Sequence, residues 1–413
     1  MNNLKLAFLL PSLPSKYRCC IGILAFVTAL QASAEVELLS SPSATNSSLS
    51  RVVTDNKGQV YLSWVTEADE MSTLNYSKMH NGAWSTPEVI SQGGNWFNNW
   101  ADFPSLLVNE NNMTAHWLKM NDKGHSYHVS AAFYTAENKR WENSIIIQNH
   151  GIKTESGFVS MLPMSQDRTF ITWLNEREPV GGGDESGVMT LRAGIFDRAG
   201  KTLNEWELDS KVCDCCQTSA AMSSTGPIVV YRDRSDEEIR DTYITRYVNG
   251  KWTQPTTVHN DGWKIAGCPV NGPSISAQGD YVAVSWFTAK DNIPKVQLAF
   301  STDNGESFSS PVRVASQTTN GRLSTTFLEN GNLAVSWMDV DGRDAKVMLS
   351  LYSVAGKLLD TTHVANTSAS RRSGFPVIDS VANDVYITWT NTKEAQVRVA
   401  RVSNANGKFL SSR

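Results

Sequence analysis

The chain has 413 residues, 40% hydrophobic and 19% charged, with a formal charge of −4. That balance is ordinary for a globular protein and excludes a disordered or fibrous chain. No basic stripe points to nucleic acid, and a net negative chain is a poor general trap for anions.

Residues 1–34 read as an export signal. Lys5, Lys16 and Arg18 precede the apolar run 20–30, and Ala32-Ser33-Ala34 offers a small-x-small cleavage site. The run is too short to span a bilayer, so no stable membrane anchor is expected. The expected mature protein, 35–413, is periplasmic or secreted, and loss of three cations takes its charge to about −7.

The stretch 35–41, EVELLSS, alternates as a strand. A β-branched phrase ending in an aromatic residue then recurs, as QVYLSW at 59–64, NMTAHW at 112–117, RTFITW at 168–173 and PIVVY at 227–231. It returns as YVAVSW at 281–286, NLAVSW at 332–337 and DVYITW at 384–389. The aromatic positions 64, 117, 173, 231, 286, 337 and 389 are separated by 51 to 58 residues. A period near 50 residues, with about four short strands and turn residues in each copy, predicts an all-β fold. The expected architecture is a single propeller of seven four-stranded blades. The seventh repeat stops after three strands, so the N-terminal strand 35–41 is expected to supply the fourth and close the ring. Six blades with one degenerate repeat is the alternative.

Residues 301–308, STDNGESF, carry Ser301, Asp303, Gly305 and Phe308 in the pattern of an Asp-box (BNR repeat). A carboxylate there accepts backbone N–H groups across a turn, and glycine supplies a positive φ. Weaker echoes stand at 79–87 and 247–255. On these residues the mature chain resembles the Asp-box propellers of the sialidase (neuraminidase) superfamily. The resemblance implies a structural Asp-box away from the active centre. It also implies arginines that clamp a substrate carboxylate, a Tyr nucleophile assisted by Glu, and an Asp acid/base. Arg51 matches the family's first arginine, without the aromatic and Pro of the usual phrase. Arg322 and Arg371 or Arg372 are candidates for the others.

In a propeller the first-strand starts and the second-strand ends share one face, around the channel mouth. That places Arg51, Asp102, Phe103, Phe158, Arg322 and Arg372, with Arg232, Asp233 and Asp339, on the binding face. Cys213, Cys215, Cys216 and Cys268 open adjacent repeats and should be neighbours there. In an oxidising compartment four cysteines predict two disulfides. Either Cys215 and Cys216 pair with each other and Cys213 with Cys268, or one of the adjacent pair bridges to Cys268. A thiolate site for copper or zinc is the alternative. His116, His125 and His128 lie in repeat two and read as ordinary residues. The stretch 231–241 alternates Arg with carboxylates, as an ion-pair network would.

The leading expectation is an exported sialidase-like protein that binds a carbohydrate, an acidic glycan, at the mouth. As an enzyme it would be a glycoside hydrolase. Arg51, Arg232, Arg322 and Arg372 would hold the acidic group, Asp233 would be the acid/base, and Asp102 or Asp339 the second carboxylate. The alternatives are a non-catalytic metal or redox protein built on the cysteines, and a scaffold for another protein.

Overall fold

A computed structural model describes residues 34–121, 126–148, 155–165, 167–177 and 187–403. Residues 1–33 of the export-signal reading, and His125, lie outside these. Seven antiparallel sheets follow one another along the chain, and together they make a seven-bladed propeller. The first blade begins with Ser47–Thr54, Val60–Ala68 and Met71–His80, and its outer edge is split between Ala83–Trp84 and Glu88–Gly93. The second and fourth blades split their outer edge in the same way.

The recurring phrase forms the second strand of each blade. Its aromatic residues are all buried, from Trp173 and Trp286 at 0% exposure to Trp337 at 5%. The two neighbours of each blade cover its two faces, so these strands read as mostly apolar runs. The core is accordingly divided among the blade interfaces. Val65, Leu74 and Trp117 pack between the first and second blades, and Leu349, Ile387 and Trp389 between the sixth and seventh. Val52, Trp64 and Tyr386 join the seventh blade to the first.

Glu35–Leu39 pairs antiparallel with Gln396–Ser403, in the register Glu35↔Ser403 to Leu39↔Val399. The N-terminal strand therefore completes the last blade. Hydroxyls on the inner strands tie blade to blade. Ser160 Oγ accepts the Ala220 N–H at 3.0 Å, Ser219 Oγ the Ile275 N–H at 3.2 Å, and Ser324 Oγ the Ile378 N–H at 3.3 Å. At the closing seam the Asp379 carboxylate takes the Thr54 N–H at 2.7 Å.

The turn at 301–308 lies at the opposite end of the blade from the channel mouth. Asp303 Oδ1 accepts from Ser301 Oγ at 2.6 Å and from the Ser307 N–H at 3.0 Å, and Gly305 sits at φ +79°. Hydrogen bonds from the Ser301 and Ser307 hydroxyls hold the Asp303 carboxyl low, at about 2, against the opposing effect of burial. Its carboxylate oxygens accept from groups within the turn, which is a structural role.

Candidate functional site at the channel mouth

Three inner strands are bent where they enter the channel. Their ladders slip between Ser48 and Arg51, Gly157 and Ser160, and Gly321 and Ser324. Leu49, Phe158 and Arg322 take φ values of 54°, 52° and 50° at these bulges. A bulge re-aims the side chains that follow it. Arg51, Ser160 and Ser324 consequently line a central cavity of about 80 Å³, to which all seven blades contribute. That volume holds two or three waters at about 30 Å³ each, or one small substituent, and is well below a typical ligand pocket.

Among the described residues, the cavity is lined by one cation, Arg51, and one carboxyl, Asp102. No described residue accepts a hydrogen bond from the Arg51 guanidinium. Burial lowers its pKa, and the charge of Asp379 opposes that. Asp102 is 2% exposed. It accepts the Phe158 backbone N–H on one oxygen, while Oδ2 has no partner among the described residues. Burial pushes this carboxyl up to about 7, and the Phe158 contact only partly offsets it. Behind the cavity, His116 Nδ1 meets Ser105 Oγ at 2.9 Å. Burial, and then the Arg51 charge, hold His116 down at about 3, so it is neutral.

The rim is aromatic. Trp100 stacks on Phe375 with ring centroids 5.7 Å apart, and Phe103 meets Phe375 at 6.2 Å. Arg322 lies over Trp100 at 4.7 Å and Arg371 at 5.9 Å. Phe103 is among the residues expected at the mouth from sequence, and Trp100 is not. The signal was present in the unusual run NWFNNWADF at 95–103, between two repeats.

The other arginines occupy different surroundings. Arg232 is 2% exposed and donates to the carbonyls of Asn271, Arg240 and Phe287. Its guanidinium also lies over the Trp263 ring at 5.0 Å. Burial lowers its pKa to about 10, and it stays charged. Arg322 clamps the loop before the seventh inner strand, donating to Ser370 O at 2.9 Å, Ser373 Oγ at 2.7 Å and Gly374 O at 3.1 Å. Both guanidiniums are committed to backbone carbonyls. Arg372 is exposed in the short 3-10 turn Arg371–Ser373.

The three carboxylates named from sequence do not share a cavity. Asp102 faces the channel. Asp233 lies in the fourth blade's loop, where burial raises its carboxyl to about 6. Asp339 accepts the Thr318 hydroxyl at 2.5 Å and lines a separate groove of about 920 Å³ between the sixth and seventh blades.

The cysteines form two disulfides, Cys213–Cys216 and Cys215–Cys268. One member of the adjacent pair thus bridges to Cys268. In this form none of the sulfurs is a thiolate. The loop 231–241 clamps the cluster through Arg234, which meets Asp214 at 2.9 Å and Glu238 at 2.7 Å, and through Arg240, which meets Glu238 at 2.7 Å. That is the ion-pair network expected of this stretch.

No known family model matches the sequence, and no curated protein matches it. Solved structures with a similar fold include a protein of unknown function from Dyadobacter fermentans, with a TM-score of 0.51 at 11% identity, covering 90% of this chain and 98% of that one. An ulvan lyase, a polysaccharide lyase bound to -[GlcA(1-4)Rha3S]-, gives 0.48 at 9% identity over 80% and 82%. The NanB sialidase from Streptococcus pneumoniae gives 0.45 at 11% identity over 88% and 69%. At these identities the likeness is one of fold.

Proposed function

We propose that this propeller is an exported protein that binds an acidic glycan at the channel mouth, with the glycan's carboxylate entering the cavity to meet Arg51. The observation that carries the reading is the guanidinium of Arg51. It lines the cavity and has no acceptor among the described residues. A half-buried guanidinium with no hydrogen-bond acceptor gains from one, and a planar carboxylate matches its fork. The cavity of about 80 Å³ admits such a group and stops the ring that carries it. The sugar would then rest on the aromatic rim, where the faces of Phe103 and Trp100 suit the apolar C–H side of a pyranose.

Asp102, protonated below about pH 7, would not repel the entering anion and would offer a proton. Hydrolysis needs a second group across the scissile bond, and Asp102 is the sole carboxyl lining the cavity among the described residues. Binding is therefore the function the geometry supports best. The two disulfides fit an oxidising compartment, and no helix among the described residues is long and apolar enough to cross a membrane.

The test is titration of carboxylated and neutral oligosaccharides against the wild type and Arg51→Met. The wild type should prefer the carboxylated set, and Arg51→Met should lose that preference, about 1.5–3 kcal/mol for one charged hydrogen-bonded contact. Equal affinity of the wild type for both sets would remove the proposal.

A further inference from the structure

The mouth carries a second set of unusual chemistry, independent of the glycan reading. Its two disulfides lie against each other. The Sγ atoms of Cys213, Cys215 and Cys216 are all within 4.8 Å of one another. Access is graded along the cluster. Cys268 is exposed, Cys215 is half-buried, and Cys216 and Cys213 are 2% and 1% exposed.

The innermost sulfur touches a cation. Arg240 Nη1 lies 3.4 Å from Cys213 Sγ, and Arg240 is itself 3% exposed. Glu238 accepts from Arg240 Nε at 3.1 Å and Nη2 at 2.7 Å, which fixes the fork and leaves Nη1 for the sulfur. The nearest carboxylate to Nη1, Asp214, stands off at 3.9 Å. A bridge that merely tied two loops would need neither a third sulfur in reach nor a buried guanidinium. A cationic neighbour lowers a thiol's pKa, and the lower-pKa thiol is the better leaving group in exchange.

We propose that this cluster is a thiol–disulfide exchange site, which takes two electrons from an external dithiol at Cys268 and holds them as a thiolate at Cys213. One thiolate of the dithiol attacks Cys268 Sγ. The bond to Cys215 breaks, and Cys215 leaves with the electron pair. The dithiol's second thiolate then attacks its own sulfur in the mixed disulfide, departing as a cyclic disulfide and leaving Cys268 as a thiol. The Cys215 thiolate attacks Cys216 Sγ, a Cys215–Cys216 bond forms as the Cys213–Cys216 bond breaks, and Cys213 leaves as a thiolate against Arg240. In sum the dithiol is oxidised and one protein disulfide is lost. Of the dithiol's two protons, one stays on Cys268 and the other goes to solvent.

The internal step is testable without a reductant. Cys268→Ser leaves Cys215 as a free thiol beside the Cys213–Cys216 bridge. The purified variant is acid-quenched, unfolded, and labelled with N-ethylmaleimide at mildly acidic pH. The remaining disulfide is then reduced and marked with heavy maleimide, and tandem mass spectrometry locates each label. The first label should fall mainly on Cys213. Adding Arg240→Met should move the Cys213-to-Cys215 ratio toward Cys215 by about tenfold, one pH unit of thiol acidity. In the wild type, limiting dithiothreitol should expose Cys268 and Cys213 together. First label confined to Cys215, or found on Cys216, would overturn the exchange route, even if the Arg240 variant fails to fold.

Discussion

Replacing Asp102 by Asn should stabilise the protein by an amount that grows from about pH 4 to about pH 7 and is constant above. The carboxyl is 2% exposed, and Oδ2 has no partner among the described residues. Gly157 packs so closely that a Cβ there would lie 2.0 Å from Oδ2, so the carboxyl has no slack to move into. Burial raises its pKa from 3.8 to about 7. The native state then keeps a proton that the unfolded chain loses near pH 4. Between those values the native state binds more protons, so stability falls as pH rises, and levels off above 7. A gap of about three pH units at about 1.4 kcal/mol each amounts to about 4 kcal/mol. Asn keeps the shape and never ionises. Urea unfolding of both proteins from pH 4 to 8.5 isolates this one group in the difference between them. The variant should match the wild type at pH 4 and exceed it by about 4 kcal/mol at pH 8. A difference that stays constant with pH, or grows toward acid, would refute the reasoning.

Further outcomes follow from the same structure. Trp286 is fully buried and donates from Nε1 to Asp261 at 2.6 Å, so Trp286→Ala should cost about 3–5 kcal/mol in denaturant unfolding. A loss below about 1 kcal/mol would contradict the assigned packing between the fourth and fifth blades. Deleting 35–39 should speed amide exchange along Gln396–Ser403 and promote association through the bared edge, both read at graded protein concentration. Unchanged protection would mean that the ring closes another way. The Cys215–Cys268 bridge spans 53 residues, and Cys268→Ser should lower the unfolding free energy by about 2–4 kcal/mol in chemical denaturation.

The propeller was legible because its signal is local and repeated. Burial on both faces makes each second strand mostly apolar, and seven copies of that run count the blades. The unpaired stretch 35–41 and the short seventh repeat together implied the closing strand, and the register Glu35↔Ser403 shows it. The ring also placed the four cysteines side by side, since adjacent blades must bring their entry loops together.

Which cysteine met which was beyond the sequence, because Cys215 and Cys216 are equivalent in spacing and differ only in the direction the loop turns them. The same holds for the arginines. Arg51, Arg232 and Arg322 are alike as letters, yet Arg232 and Arg322 spend their donors on carbonyls of neighbouring loops, while no described residue accepts from Arg51. An acceptor contributed by a carbonyl 39 or 52 residues away leaves no trace in residue type. Sequence by itself therefore determined the ring, its closure and its oxidisable mouth, through periodic burial. The tertiary structure alone decided which charges remain unspent there, because that depends on where distant backbone groups come to rest.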